Sequence, residues 1–348
     1  MLIFIIKYDT INLIKTVKED VLMKYLITGG AGFIGSNFIK YMLEKYPTDY
    51  FVCLDLLTYA SSMESLKEVV GNERFKFVYG DICDEELVDN LFKEEGFDYV
   101  VNFAAESHVD RSYLYEEVFY KTNVMGVKTL LDASLKYNVK RFHQVSTDEV
   151  YGELPLNDLN LYFTEESPLN PTSPYSKSKA MADMLVLNYF HCDKLDVTIS
   201  RSSNNYGIYQ HPEKLIPKTV KMALNKENIT IYGNGLNVRD WMYVADHCIA
   251  IDLILHKGRS GEIYNVGTNN EVVNIEIVNM VLKCLDINDY NIVYTNDRPN
   301  DDKRYSLDCS KIKEELGWKA EFDFNNSFEY TVKWFKENYN WIIHILNK

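Results

Sequence analysis

The sequence predicts an α/β fold in which a doubly wound parallel sheet is joined to a smaller, mixed α/β domain. Short runs of β-branched and aromatic residues alternate with longer amphipathic stretches from Met23 onward. The first of these runs leads directly into a cluster of glycines, and shorter elements punctuated by proline and glycine follow Asn204. Strands that alternate with amphipathic helices are typical of a parallel sheet covered by helices on both faces.

The apolar runs before Asn204 predict six strands, and the segments between them are predicted to be helices. The strands are Tyr25–Thr28, Phe51–Leu54, Phe75–Tyr79, Tyr99–Phe103, Phe142–Ser146 and Val197–Arg201. Pro212, Pro217, residues 232–235 and Pro299 then separate shorter elements.

The change of pattern predicts two domains. At 348 residues the chain can bury one large core or two modest ones. We expect an N-terminal extension over residues 1–22, a larger domain over residues 23–203 with 240–270, and a smaller, substrate-binding domain over residues 204–239 with 271–348.

Charge and cysteine content argue against several classes of protein. The chain has 51 acidic and 37 basic residues, a formal net charge of −14, and no run of lysine or arginine. Such a charge repels nucleic acid and anionic membrane surfaces. The six cysteines form no C-x-x-C pair and lie near no histidine cluster, so we expect neither a metal site nor a disulfide framework. Reduced thiols are typical of a cytoplasmic protein.

The N-terminal extension is not expected to enter a membrane. Met1–Ile6 is apolar, but charged residues follow at once from Lys7, and no small-residue cleavage site closes the segment. It is too short and too charged for a signal peptide or a membrane span. We interpret Met23 as the start of the fold.

The glycines after the first strand predict a dinucleotide-binding loop of the Rossmann type. Gly29, Gly32 and Gly35 have the spacing G-x-x-G-x-x-G. Gly30, Gly32 and Gly35 have the related spacing G-x-G-x-x-G. An apolar helix follows from about Phe33. Glycine permits the backbone conformations of such a turn and lets the chain approach a pyrophosphate at a helix N-terminus. The alternative is a plain glycine-rich turn.

Asp55 predicts which dinucleotide this loop binds. It stands twenty residues past Gly35, at the end of the second predicted strand. A carboxylate there can accept hydrogen bonds from a ribose 2′-hydroxyl and would repel a 2′-phosphate. The cofactor is therefore predicted to be NAD rather than NADP.

Two further strand ends are candidate parts of the same site. Asp81 and Ile82 follow the third strand and could reach an adenine ring, and the small residues Ala104 and Ala105 follow the fourth. Open parallel sheets bind ligands at the carboxyl ends of their strands. Taken alone, Asp81 and Ile82 are explained equally well by an ordinary turn, and Ala104 and Ala105 by a tight contact between a helix and a strand.

Tyr175 and Lys179 are a candidate proton-transfer pair. They lie one turn apart at the start of a helix predicted to run to about Phe190. An ammonium beside a phenol favours the phenolate, which can take a proton from a hydroxyl group. Tyr41 and Lys45 share the same Y-x-x-x-K spacing, but Tyr175 follows the fifth strand, where this topology faces the nicotinamide region.

The fifth strand ends in Thr147, Asp148 and Glu149. This strand end faces the ligand crevice in the predicted sheet. Adjacent carboxyl groups can divide into a proton donor and a proton acceptor when their environments separate their pKa values. Two adjacent acidic residues more often mark a turn that is exposed to solvent. The predicted cofactor loop and the Tyr/Lys pair nearby favour a catalytic role here.

Six segments together resemble the extended short-chain dehydrogenase/reductases, and within them the nucleotide-sugar 4,6-dehydratases. They are Gly29–Ser36, Ala104–Ser112, Val145–Gly152, Pro174–Lys179, Ser203–Gly207 and Pro212–Pro217. The similarity runs from about Met23 to Trp341. Thr147-Asp148-Glu149 is the discriminating segment, because 4-epimerases and decarboxylases of this fold lack the acid pair.

The resemblance implies a redox-neutral loss of water from a nucleotide glucose with a retained NAD. Tyr175, assisted by Lys179 and Thr147, would take the C4 hydroxyl proton during oxidation at C4. Glu149 would then remove the C5 proton while Asp148 protonates the departing C6 hydroxyl, and hydride would return to C6. The expected substrate is dTDP-glucose, and UDP-glucose is the alternative.

The resemblance also implies binding residues. Those for NAD are Gly29, Gly32, Phe33, Ile34, Gly35, Asp55, Thr58, Asp81, Ile82, Ala104, Ala105, Thr122, Tyr175, Lys179 and Asn205. Those for the nucleotide sugar are Ser107, Thr147, Asn204, Lys214, Leu215, Tyr232, Arg239, Asn274 and Arg298. The resemblance also implies a homodimer that forms through helices around Glu117–Tyr137 and Tyr175–Phe190. In this family the product is usually a precursor of rhamnose or another deoxysugar.

One segment departs from the family pattern. Members that act on dTDP-glucose tend to read R-P-G-H-D where this chain has Arg298-Pro-Asn-Asp-Asp302. UDP-glucose 4,6-dehydratases also lack that histidine, so thymine and uracil both stay open. An NAD-dependent nucleotide-sugar 4-epimerase and a non-catalytic NAD-binding protein are further alternatives.

Overall fold

The fold is organised around a parallel sheet with helices on both faces. The computed structural model describes residues 22–297 and 302–347; the extension over residues 1–22, apart from its last residue, and Arg298 lie outside this part. Its strands are β1 (Lys24–Thr28), β2 (Tyr50–Asp55), β3 (Phe75–Tyr79), β4 (Tyr99–Asn102), β5 (Arg141–Thr147), β6 (Val197–Ser202), β7 (Asn204–Tyr206), β8 (Ile229–Tyr232), β9 (Val238–Tyr243), β10 (Glu262–Val266), β11 (Glu271–Val273) and β12 (Ile292–Thr295).

The helices of the described residues alternate with these strands. They are α1 (Phe33–Lys45), α2 (Glu85–Glu95), α3 (Val109–Leu114), α4 (Glu116–Tyr120), α5 (Val127–Lys136), α6 (Pro174–Asp193), α7 (Leu215–Leu224), α8 (Val244–Lys257), α9 (Asn274–Leu285), α10 (Ser310–Leu316), α11 (Phe324–Glu337) and α12 (Tyr339–Leu346). Two 3₁₀ turns, Met63–Leu66 and Asp148–Tyr151, and a π-helical turn, Lys121–Gly126, complete the set.

The main sheet has the doubly wound order that the sequence predicted. Its seven strands lie in the order β3-β2-β1-β4-β5-β6-β10, and every neighbouring pair is parallel. The strand order reverses between β1 and β4, so the loops that follow these two strands diverge and open a crevice. Two smaller sheets, β11-β9-β7 and β12-β8, lie outside the main sheet.

Apolar side chains fill the space on each face of the main sheet. On one face, Phe38 and Met42 of α1 belong to the same buried cluster as Ile251 of α8, and that cluster continues into α7, α9 and α11. On the other face, Leu91 of α2 and Val186 of α6 belong to a second cluster. Burial on both faces accounts for the continuous apolar runs of these strands.

All six predicted strands are confirmed, with ends that differ by one residue where they differ at all. The sequence analysis did not predict β10, whose Glu-Ile-Tyr-Asn-Val run is short and half polar. Tyr264 and Asn265 are nonetheless fully buried in this strand. The Asn265 side chain tolerates burial because it accepts a hydrogen bond from Tyr151 and donates one to the Phe163 carbonyl.

Candidate active site

A cavity of about 530 Å³ opens at the carboxyl ends of the central strands. The loops after β1 to β6 and the start of α6 line it. The cavity brings together most of the residues that the sequence analysis singled out: Gly29, Gly32, Phe33, Ile34, Gly35, Asp55, Thr58, Asp81, Ile82, Ala104, Ala105, Ser107, Thr122, Thr147, Asp148, Glu149, Tyr175, Lys179, Asn204, Asn205 and Lys214.

Four predicted substrate residues of the described chain do not line this cavity. Leu215 and Asn274 are the first residues of α7 and α9, and Arg239 lies in β9. Tyr232 ends β8, where its hydroxyl donates a hydrogen bond to Asp110. Arg298 lies outside the described residues. The Arg239 guanidinium packs over the Tyr305 ring, 4.6 Å from the ring centre.

The glycine loop brings two backbone segments into close contact. Gly29 has φ +66°, and a Cβ atom there would lie 2.5 Å from the Ala104 backbone nitrogen. A Cβ atom on Gly35 would lie 2.5 Å from the Gly29 carbonyl oxygen. The loop therefore leaves room beside the N-terminus of α1, where backbone N–H groups can hold a pyrophosphate.

Replacing Gly29 with alanine is expected to weaken NAD binding at least about tenfold and to lower thermal stability, because the methyl group collides with backbone at a left-handed φ. Gly71→Ala is the matched control, since Gly71 has φ +90° but the methyl group of an alanine there would meet no atom within 4 Å. Calorimetric titration with NAD and thermal denaturation of both variants test this. Equal NAD affinity in the two variants would contradict the assignment.

Asp55 ties the end of β2 to the glycine loop. One carboxylate oxygen accepts a hydrogen bond from the Ala31 N–H at 2.9 Å. The other accepts from the Leu57 N–H and the Ser61 hydroxyl, each at 2.8 Å. The side chain is buried and lines the cavity. These donors hold a carboxylate where a ribose of NAD would lie, so the residues present fit a dinucleotide.

Tyr175 and Lys179 lie on the buried face of α6. The Lys179 ammonium donates a hydrogen bond to the Val145 carbonyl at 2.7 Å. Burial lowers the pKa of Lys179 to about 8, and the Asp183 carboxylate opposes this shift. Burial raises the pKa of Tyr175, Glu149 and Asp148 raise it further, and the Thr147 hydroxyl opposes them. The phenol therefore needs a nearby positive charge to act as a base.

Thr147, Asp148 and Glu149 turn into the cavity as β5 ends. The Thr147 hydroxyl caps the 3₁₀ turn by accepting a hydrogen bond from the Glu149 N–H, and it donates to the Asp148 carboxyl at 3.2 Å. Asp148 is 2% exposed, whereas Glu149 is partly exposed. The carboxyl groups of these two adjacent residues therefore differ in their exposure to solvent.

The surroundings of Asp148 favour its protonated form. Burial raises its pKa well above the ordinary value, and the Glu149 and Asp240 carboxylates raise it further, while Arg239 and Thr147 lower it. Within the described residues, its Oδ2 atom has no hydrogen-bond partner. A raised pKa keeps a carboxyl group protonated to higher pH, which is the form that can donate a proton.

Sequence analysis missed several residues that line the cavity and one, Asn123, that supports its wall from behind. The Asn123 side chain accepts a hydrogen bond from the Glu106 N–H and donates to the Glu106 carbonyl and the Ser178 hydroxyl. It thereby holds the loop after β4 against α6. Glu106, Gln210, His211 and Glu213 line the cavity themselves. Asn123 lies in the π-helical turn, and no motif around it indicated this role.

The described residues contain no group of three or more His, Cys, Asp or Glu side chains that could hold a metal ion. A search of the same residues found no helix with the length and apolar character needed to cross a membrane.

The dinucleotide loop, the Tyr/Lys pair and the doubly wound sheet together define an extended short-chain dehydrogenase/reductase. The chain belongs to the GDP-mannose 4,6 dehydratase family, whose model matches residues 26–331.

Individual relatives are similar over nearly their whole length. The low-salt glycan biosynthesis protein Agl12 of Haloferax volcanii is 47% identical, with 90% of this chain and 98% of that protein covered. The dTDP-glucose 4,6-dehydratase of Haemophilus influenzae is 43% identical, with 91% and 99% covered.

Solved structures show the same similarity. The dTDP-glucose 4,6-dehydratase of Bacillus anthracis, determined in complex with NAD, has a TM-score of 0.86 at 45% identity, covering 93% of this chain and 99% of that chain. The UDP-glucose 4-epimerase of Thermotoga maritima has a TM-score of 0.83 at 29% identity, covering 91% and 100%.

Proposed function

We propose that this protein is an NAD-dependent dTDP-glucose 4,6-dehydratase, which converts dTDP-glucose to dTDP-4-keto-6-deoxyglucose and water. One observation carries the proposal: a buried Asp148, whose pKa is raised by burial, stands beside Glu149 in the cavity that Tyr175 and Lys179 also line. Loss of water needs such an acid and base, whereas epimerisation at C4 does not. The names of the relatives from Haemophilus and Bacillus support the same activity.

The glycine loop and Asp55 would hold NAD, with the pyrophosphate at the N-terminus of α1 and a ribose beside the carboxylate. Thr58, Asp81, Ile82, Ala104, Ala105, Thr122 and Asn205 would complete its site. When bound, NAD supplies a reversible hydride acceptor, which amino-acid side chains lack.

Tyr175 begins the reaction by accepting the C4 hydroxyl proton, with the Lys179 ammonium and the Thr147 hydroxyl favouring the phenolate. The C4 carbonyl formed by oxidation acidifies the proton on C5. Glu149 removes that proton while Asp148 donates one to the C6 hydroxyl, which leaves as water. C6 then receives the hydride that C4 lost, and C5 receives a proton. The overall reaction is therefore redox-neutral.

The nucleotide sugar would lie between the two predicted domains. Ser107, Asn204 and Thr147 would contact the sugar. Asn204 lines the cavity, and within the described chain its Oδ1 atom lacks a hydrogen-bond partner. Lys214 and Arg239, with Arg298, would bind the diphosphate, since guanidinium groups pair well with phosphate oxygens. Leu215, Tyr232 and Asn274 would line the nucleotide pocket.

Turnover of dTDP-glucose and UDP-glucose, compared side by side with mass spectrometry of the product, tests both the reaction and the base preference. Loss of one water from dTDP-glucose is the expected result. Water loss from UDP-glucose alone would reassign the substrate. A product of unchanged mass would show a 4-epimerase, and NAD binding without any turnover would show a non-catalytic protein.

The enzyme is further proposed to work as a cytoplasmic homodimer that feeds deoxysugar synthesis, such as that of rhamnose. Apolar side chains are exposed along α3 to α6: Leu114 (74%), Val118 (46%), Met125 (55%), Met181 (46%) and Met184 (64%). α3 and α4 pack against α6, so these side chains belong to neighbouring helices. Exposed apolar patches of this kind mark protein–protein interfaces.

Replacing Met184 with lysine is expected to weaken dimerisation at least about tenfold, because a charge would be buried in the apolar contact. Light scattering coupled to gel filtration over a dilution series measures it. Tyr290→Lys is the control, since Tyr290 is exposed outside these helices. A wild-type protein that is monomeric at all concentrations would refute the dimer.

A further inference from the structure

A third ionisable side chain continues the row of Tyr175 and Lys179 on α6. Asp183 follows Lys179 at the same four-residue spacing, which places the three side chains on one face of the helix. All three are buried, with Lys179 4% and Asp183 1% exposed. The proposed reaction assigns no role to Asp183, although an isolated carboxylate is costly to bury.

Asp183 is held by an ion pair with Arg201 of β6. The Arg201 Nε atom donates to the Asp183 Oδ2 atom at 2.9 Å, and the two side chains are 3% and 1% exposed. The guanidinium also lies 4.8 Å from the centre of the Tyr151 ring. Within the described chain, Asp183 Oδ1 has no hydrogen-bond partner. One carboxylate oxygen is thus anchored to the sheet, and the other makes no hydrogen bond there.

Stability alone is a weak reason to keep such a pair. Removing two charges from water costs several kcal/mol per ion, and apolar replacements of buried pairs are often as stable or more stable. The pair can, however, act on the charge of a neighbouring group. The nearest basic group along α6 is the Lys179 ammonium.

Lys179 needs a counter-charge in order to stay protonated. Its Nζ atom is buried and donates to a neutral acceptor, the Val145 carbonyl. Burial draws its pKa down to about 8, and Asp183 is the charged group that opposes this shift. A neutral lysine would no longer favour the Tyr175 phenolate.

Other charged groups reach this face of α6 from the elements packed against it. Glu149 and Asp148, in the turn after β5, face Tyr175 and disfavour its phenolate. The Asp183 carboxylate also disfavours the phenolate directly, though less than these two groups, so its support for Tyr175 acts through Lys179. Arg201 comes from β6, and Glu165 acts on Tyr151 from the loop before α6. Among the carboxylates near this face of α6, Asp183 is the one that lies on α6 itself, one helical turn after Lys179.

We propose that Asp183 is a positioning residue for the proposed dehydratase reaction, on which this inference rests: its carboxylate, anchored by Arg201, holds Lys179 in the charged form that Tyr175 requires. Arg201 limits the effect, because it draws the carboxylate toward β6 and keeps it from pairing fully with the ammonium. The pair adjusts the charge on Lys179 without touching substrate or cofactor.

Titration of Lys179 in the full-length protein tests the inference without turnover. The lysine signal is followed by NMR with isotope-labelled lysine and is assigned by its absence from Lys179→Arg. Asp183→Asn is expected to lower the Lys179 midpoint by at least about half a pH unit, since it removes a neighbouring negative charge. The alkaline limb of the kcat/KM profile with dTDP-glucose is expected to move to lower pH with it.

Two further variants separate this role from a structural one. Asp252→Asn is the matched control, because Asp252 is a buried acid paired with Lys45 on α1. It is expected to lose stability without moving the Lys179 midpoint. Should Asp183→Asn not fold, Asp183→Asn with Arg201→Gln removes both charges. That double variant is expected still to place the Lys179 midpoint below the wild-type value, because the carboxylate that opposes the effect of burial is gone and no unpaired guanidinium remains.

An Lys179 midpoint that stays at the wild-type value in the Asp183 variants would overturn the inference, whatever happens to stability. A shifted midpoint in a protein that turns over no nucleotide sugar would uphold the effect on Lys179 and refute the proposed function instead. Asp183→Glu, which keeps the charge, is expected to restore the midpoint toward the wild-type value.

Discussion

Replacing Asp148 with asparagine is expected to slow the loss of water by about 10²- to 10⁴-fold, the usual contribution of a general acid. The amide keeps the size of the side chain but cannot donate a proton to the C6 hydroxyl. Oxidation at C4 depends on Tyr175 and Lys179, so it is expected to continue. Reduced nicotinamide should therefore accumulate in a single turnover with dTDP-glucose, and stopped-flow absorbance measures this.

Glu165→Gln is the control for Asp148→Asn. Glu165 is another carboxyl group whose pKa is raised by burial, but it accepts a hydrogen bond from the Asn265 N–H and does not line the cavity. We expect this variant to keep both steps. If Asp148→Asn slowed C4 oxidation as much as water loss, Asp148 would not be the acid.

Replacing Tyr175 with phenylalanine is expected to suppress both oxidation and water loss, by about 10²- to 10⁴-fold in kcat/KM. Without the phenol no group accepts the C4 hydroxyl proton, and without the C4 carbonyl the C5 proton is not acidic enough for Glu149. No reduced nicotinamide should form in a single turnover. Calorimetric titration with NAD shows whether the variant still folds and binds the cofactor.

Tyr41→Phe is the matched control, since Tyr41 and Lys45 have the same spacing in sequence. In the structure the Tyr41 hydroxyl donates to Asp252 at 2.9 Å, and Lys45 pairs with the same carboxylate. The change is expected to alter stability while activity stays within about twofold, as for substitutions away from a site. Equal losses in both variants would remove the distinction between the two pairs.

Local sequence patterns were sufficient to predict the parts of this protein that depend on neighbouring residues. The apolar runs predicted six strands because strands buried on both faces have no polar side. A dinucleotide loop was predicted from the spacing of Gly29, Gly32 and Gly35 and from Asp55 after the next strand. This worked because the turn conformation and the start of the following helix depend on residues that are close in sequence. β10 was missed because its burial depends on β6 and on residues far away in the chain.

The properties of the catalytic groups required the tertiary structure. Sequence placed Thr147, Asp148 and Glu149 at a strand end, but equally allowed a solvated turn. Asp148 is suited to the proposed role of proton donor because the fold buries it and brings Asp240, from β9, close enough to raise its pKa. Asn123 likewise supports the loop after β4 only because the fold brings a π-helical turn against that loop.

The sequence by itself determined six of the seven strands of the main sheet, the cofactor loop and the candidate catalytic side chains, since each depends on spacing within one element or across one turn. Only the tertiary structure showed what the Tyr41/Lys45 pair contacts instead, which carboxyl group has its pKa raised by burial, and which acid opposes the effect of burial on Lys179. The physical reason is that burial and charge act through space, and Asp240 and Arg201 reach these groups from strands distant in sequence.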